Sequence, residues 1–265
     1  MDKNQIWIDQ VTRKWWFYLI ILFVSFLPAY ASQPYDPRDT PKLIGEVLSN
    51  SRVGDFPVVF PFFKIIPLLL IWRLVIRGKN AARWFNGYVA FTLLIYAVFQ
   101  NSAFTESYGF AVITGNLVMF LLVSIFWVWD LFAQRTQYQL GGRPLWCYWV
   151  APVAFLAFWM PVQQTNGSFV PDFSLLGLIA NQAGLAFCMM MPVYLAVATL
   201  AYPAVNLPLL RVSGWVGAII AFYNLLQYIM LPGYGWWMAI LHLPLLTISL
   251  FAFYLGLKKH EAIGG

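Results

Sequence analysis

Four polar residues stand out against long apolar runs: Lys64, Asn116, Asn181 and His242. Lys64 lies eight positions after Phe56, Asn116 six after Phe110, Asn181 eight after Phe173 and His242 six after Trp236. If each aromatic marks the membrane edge where an apolar run begins, all four sit roughly 9–12 Å in, at 1.5 Å per helical residue. Six and eight positions differ by about 200° around a helix, so a shared depth does not bring a shared face. An ammonium, an imidazole and two carboxamides at one level would offer a positive charge and directional hydrogen bonds to an anionic or polar head group. An ionisable group inside a bilayer is costly, and its default reading is functional. Each residue also has a structural reading. Asn and His bond across helix contacts for about 0.6–2 kcal/mol. Lys64, within Phe-Phe-Lys-Ile-Ile-Pro, is close enough to the edge to snorkel outward along its apolar stem.

Asn224 and Gln227 are three apart, on one helix face, and predict a hydrogen-bonded patch near the outer end of their run. These two join the other four as the candidate ligand-binding set. Asp130 closes a run in Trp-Val-Trp-Asp-Leu-Phe, and its depth suggests an ion pair with Arg73, Arg77 or Arg135 rather than a proton relay. Asp55, Glu106 and Asp172 fall at outer ends, where they would either gather as acids or serve as turn residues. Catalysis needs a nucleophile, a metal site or an acid/base pair. The sequence shows no His/Glu/Asp cluster at ligand spacing. The single intramembrane His has no partner for bis-His haem, which leaves only single axial ligation of a pigment. Phe-rich stretches would accept a flat quinone or carotenoid, or simply pack and face lipid. Cys147 and Cys188 sit in apolar stretches and read as small buried hydrophobes. Asn166-Gly167-Ser168 matches a glycosylation sequon, meaningless in a bacterium.

The elements that must carry these residues follow from composition. The 265 residues are 61% hydrophobic and 10% charged, against about 25% charged in soluble domains. So few charges cannot coat a water-facing surface. In lipid every backbone polar group must be satisfied internally, which leaves helices or closed barrels. Barrel strands alternate strictly over about ten residues; Asn-Leu-Val-Met-Phe-Leu-Leu-Val-Ser-Ile-Phe-Trp-Val-Trp does not, so helices are expected. The net charge of +6 gathers at run ends, a topology signal rather than a nucleic-acid footprint.

The fold class expected is an all-α polytopic membrane protein, a bundle of eight transmembrane helices forming one domain. Spans of about 20 residues are predicted at 15–32, 57–77, 84–104, 108–131, 145–163, 173–199, 209–231 and 236–257. Lys3, Arg13, Lys14, Arg77, Lys79, Arg83, Arg135, Arg143, Arg211, Lys258 and Lys259 occupy the ends and alternate gaps, which predicts both termini in the cytoplasm. Trp15, Trp16, Trp84, Trp146, Trp149, Trp236 and Trp237 fall at span ends, as an interfacial belt requires. The outer segment 33–56 predicts a short amphipathic helix from Thr40-Pro41, or else a plain loop. Pro28-Ala29-Tyr30-Ala31 resembles a signal-peptidase site; cleavage would leave seven spans, whereas a retained first helix fits the repeat.

That repeat places Gln100, Gln163 and Gln227 nine or ten residues before Phe110, Phe173 and Trp236, a period near 63. It predicts four tandem, similarly oriented hairpins, unless the turns merely share polar residues. Three function classes follow, in this order. The first is a cell-membrane (plasma or inner) protein that binds or transports a small polar-headed or lipophilic ligand through an outward-facing site. The second is a non-catalytic subunit of a membrane complex. The third is a lipid-acting enzyme using the outer carboxylates. The expected partners are the bilayer and such a ligand or subunits, with no nucleic acid.

Overall fold

The computed structural model describes residues 3–139, 143–165, 168–230 and 236–258. Each apolar run contains a helix. After α1 (Lys3–Val11) come α2 (Trp15–Ser25), the short strand β1 (Tyr30–Ala31), α3 (Thr40–Ser49), α4 (Phe60–Arg77) and α5 (Lys79–Ile95). A π-helical turn, Tyr96–Gln100, extends α5. Then follow the strands β2 (Ser102–Thr105) and β3 (Gly109–Val112), α6 (Thr114–Ala133) and α7 (Val150–Trp159). The strands β4 (Val162–Thr165) and β5 (Ser168–Pro171), α8 (Gly177–Ala180), α9 (Phe187–Leu200), α10 (Leu207–Met230) and α11 (Trp236–Leu257) complete the order.

Among the described residues, five helical segments are long and apolar enough to cross a bilayer: Pro57–Arg77, Asn80–Gln100, Thr114–Ala133, Leu207–Gln227 and Ala239–Leu257. A sixth crossing is available if Gly177–Leu185 and Phe187–Leu200, which meet at 98°, form one broken span. The chain is a multi-pass helical membrane protein. The other two predicted spans are shorter helices, Trp15–Ser25 and Leu145–Trp159. Eleven residues reach roughly 16 Å, against a hydrocarbon core about 30 Å thick. Proline explains the truncation. Pro28 and Pro161 follow the two helices, and a residue before proline is pushed out of the α region. Met160, directly before Pro161, sits at φ 49°.

The expected all-α architecture is corrected by the strands. Residues 102–105 and 109–112, expected as helix except for Thr105, pair as an antiparallel hairpin, and β1 joins it in the order β1-β3-β2. A second hairpin, β4–β5, follows α7. The turn into β3 takes Gly109 to φ 64°, a conformation that interrupts any helix. Under the three-stranded sheet, Leu43 and Val47 of α3 are fully buried against Ala103, Tyr108, Ala111 and Ile113, forming a small second core. Amphipathic spacing (positions 43 and 47, one turn apart) gives α3 this single buried face.

The main core lies between the long helices. Helices α10 and α11 form the most extensive pair. A Cβ on Gly214 would come within 2.7 Å of the Phe253 amide, so glycine lets the two backbones approach. Sequence neighbours α4 and α5, and α5 and α6, also pack together, as do α7 and α9 across the short α8. Helix α2 packs mainly on α6 and α10, so the first expected hairpin does not pack as a pair with α4. Gln100 and Gln163, matched by the 63-residue period, occupy a π-helical turn and a strand, so they are not structurally equivalent. The last hairpin's turn, including Gly235, lies outside the described residues.

Candidate functional site

At the strand-bearing end the helices form an open-mouthed cavity of about 150 Å³. Asn116 enters from the first turn of α6, Asn224 and Gln227 from one face of α10, and His242 from α11. These four of the six candidate binding residues meet in one place. Gln100 joins from the π-helical turn and Gln182 from the 3-10 turn between α8 and α9. Phe120, Met160, Leu185, Met189, Ile220 and Leu241 supply apolar walls, while Ser49 and Ser51 line it from the segment at the end of α3. Among the described residues no Asp, Glu, Lys or Arg lines the cavity. Its chemistry is a mixture of neutral donors and acceptors, one buried imidazole and an apolar wall.

The break before α9 is the element that shapes this site. The run 173–199 was expected as one span, but Asn181-Gln182-Ala183-Gly184 interrupts it. Gly184 packs on Phe63 of α4 so closely that a Cβ would lie 2.9 Å from the Phe63 backbone. Backbone groups released by such a break must find partners away from water. The Gly184 carbonyl accepts from the Tyr96 hydroxyl at 2.9 Å, and the Phe187 amide donates to Gln100 Oε1 at 2.8 Å. Tyr96 and Tyr194 hydroxyls lie 3.3 Å apart, and Thr92 Oγ1 is 3.2 Å from Tyr194. Phe120 and Phe187 stack at 3.9 Å beside the break. The first turn of α9 therefore borders the cavity through Cys188 and Met189. Asn224 Nδ2 donates to Cys188 Sγ at 3.1 Å, tying α10 to that turn. The positive end of α9's dipole thus adjoins the cavity.

Two candidate residues lie elsewhere. Lys64 is fully buried; its ammonium donates to the Phe158 carbonyl and sits 4.2 Å from the Phe158 ring centroid. It neither snorkels nor lines the cavity, because it occupies the face of α4 turned towards the end of α7. Asn181 donates to the Trp159 carbonyl at 2.7 Å and the Met160 carbonyl at 3.2 Å, and its Oδ1 accepts from the Ala183 amide. The carboxamide is spent on fastening the broken span to α7.

Asp130 is corrected as well. It makes no ion pair with Arg73, Arg77 or Arg135; it is fully buried and accepts from Asn86 Nδ2 at 2.8 Å and Asn206 Nδ2 at 3.0 Å. Tyr138 donates to Asn86 Oδ1 at 2.6 Å, so the carboxylate closes a polar knot between α5, α6 and the approach to α10. Asp55 ends a 3-10 turn, Glu106 lies in the β2–β3 turn and Asp172 accepts from the Ser174 amide at 2.9 Å. None of these three lines the cavity.

Gln100, Gln182 and Cys188 were absent from the candidate set. The polar, glycine-containing interruption of the sixth run was the available signal for Gln182. Cys188 follows its break, and Gln100 was read only as a repeat marker. Cys147 and Cys188 are free and buried. Among the described residues no three His, Cys, Asp or Glu come together. The sequon residues Asn166 and Gly167 lie outside the described residues. Comparison with protein-family models, curated proteins and solved structures finds no match, so the reading of this chain rests on its own geometry.

Proposed function

We propose that the chain threads a cell membrane through eight apolar segments, with both termini cytoplasmic, and uses the cavity to bind or pass a small polar-headed ligand. The observation that carries this reading is convergence. Polar residues that are rare in their own helices, Asn116, Asn224, Gln227 and His242, meet Gln100 and Gln182 at a break in an apolar span. Packing alone does not require six polar side chains around one void. Broken spans that bring a helix terminus to a buried site are how many membrane transporters hold polar solutes.

The cavity's size and lining restrict the ligand. A volume of about 150 Å³ equals roughly five waters at about 30 Å³ each. It admits a solute of a few heavy atoms, or the head of a longer amphiphile whose apolar part lies against the walls. With no ionised side chain among the described residues of the lining, a neutral or singly anionic head group suits the amides and the α9 terminus. The lipid-enzyme reading loses support, since Asp55, Glu106 and Asp172 stay outside the cavity.

The test is native mass spectrometry of protein released directly from membranes. Wild type should carry a small-molecule adduct. Asn224→Leu and His242→Leu, which fill the cavity with apolar volume, should lose it, while Lys64→Met should keep it. An adduct that survives both cavity variants, or no adduct in wild type, sinks the proposal.

A further inference from the structure

The end of the bundle opposite the cavity holds a second built site, independent of the first. We propose that it binds a phosphate-bearing anion. A groove of about 450 Å³ is lined by Asp9, Arg13 and Arg135 and by the run from Pro203 to Pro208. That run leads into α10, a helix of 24 residues, whose positive dipole end borders the groove; Leu207 carries an amide there and Pro208 none, and the Asn206 amide donates to Thr136 Oγ1 at 3.2 Å.

Charge around the groove is unbalanced. Among the described residues Asp9 is the single carboxylate in its lining, and it is claimed twice: by Arg13 Nε at 3.0 Å and by the buried Arg211. Arg135 has no carboxylate partner among the described residues. Arg143 stands beside the same run, with its guanidinium 5.2 Å from the Tyr202 ring centroid and its Nε buried without a hydrogen-bond partner. Asn206, 3% exposed, lines the groove; its Nδ2 serves Asp130, and its Oδ1 is buried and unpaired.

These features ask for one chemistry. Arginine forks match the paired oxygens of phosphate, and a helix N-terminus adds backbone donors directed at an anion. Arg13 and Arg135 come from segments far apart in sequence, so a ligand meeting both must present several oxygens. A tetrahedral phosphate does so; a carboxylate is satisfied by one fork. The unpaired Asn206 Oδ1 complements a protonated phosphate oxygen or glycerol hydroxyl. A lipid headgroup and free phosphate share this chemistry.

Thermal unfolding of the purified full chain in neutral detergent separates the sources. One arm titrates inorganic phosphate against chloride at matched ionic strength. The other titrates phosphatidylglycerol against diacylglycerol in mixed micelles. A rise in Tm with phosphate identifies a soluble anion as sufficient, and a rise with phosphatidylglycerol alone identifies a lipid headgroup; both support the site. Arg135→Gln should weaken the apparent affinity about tenfold, the loss expected for a charged hydrogen-bonding partner, with Arg143→Gln as the second variant should Arg135→Gln not fold. The proposal is overturned if neither phosphate probe raises Tm above its control, or if the folded variants respond as wild type does.

Discussion

Lys64 shows how a charge can be kept inside a membrane bundle without belonging to a ligand site. Its ammonium has the Phe158 carbonyl and ring as partners, and among the described residues no carboxylate pairs with it. Replacing a buried charge by an apolar side chain of similar length is often neutral or stabilising, whereas truncation leaves a hole. Lys64→Met is therefore expected to unfold within about 1 kcal/mol of wild type or above it, and Lys64→Ala about 2–4 kcal/mol below. Chemical unfolding in detergent measures both; a Met variant as damaged as the Ala variant would show that the ammonium itself is needed. At this scale the sequence was a fair guide to which residues were unusual and a poor guide to their use. Asn116 and Asn181 looked alike in a linear reading. They differ because Asn181 stands beside two free carbonyls at the end of α7, a proximity created by tertiary packing.

Between elements, the ionic contact of α1 with α10 is the clearest target. Burial raises the Asp9 carboxyl, but Arg13 and Arg211 lower it further, so it ends below its ordinary value of 3.8. A carboxyl whose folded pKa is depressed contributes stability that is fully present above the unfolded value and is lost as pH falls through the folded one. Wild type should thus weaken on acidification below about pH 4, and Asp9→Asn should show a flatter acid limb. That variant also leaves the buried Arg211 uncompensated and should cost about 2–4 kcal/mol at neutral pH. An acid-titration curve for Asp9→Asn that overlays wild type would remove Asp9 from this role. Element type was legible wherever a run was long and uniformly apolar, as in α4, α6, α10 and α11. It failed at 102–104 and 109–112, beside the turn glycine Gly109, and at 162–163, where Pro161 ends the helix before the fifth run does. It failed again at 186, because the 98° bend depends on Gly184 meeting Phe63, a contact remote in sequence.

For the whole molecule, alternate ends of the bundle gather different chemistry: strands and neutral amides at one, arginines at the other. If the termini are cytoplasmic, Glu106 and Gln139 must face opposite compartments. With the native cysteines buried, a membrane-impermeant maleimide applied to intact cells should label Glu106→Cys, and Gln139→Cys only after lysis. Labelling of both from one side would refute the threading. Counting apolar runs found a helix in each run, of which five among the described residues, or six with the bent pair, are long enough to span a bilayer. It could not show that α2 packs on α6 and α10, since a linear pattern carries no neighbour information.

The small core beneath the three-stranded sheet sets an order on assembly. Tyr30 pairs with Val112, and α3 seals against residues 103–113, so α4 and α5 intervene between the halves. At ordinary translation speeds the partner strand emerges roughly 4–16 s after β1. During that interval β1 and the apolar side of α3 have nothing to bind, and their closure must wait until the two intervening helices have brought the chain back. The cap therefore closes only after α4 and α5 have been made, and its formation records that the first loop out of the bundle has been correctly returned.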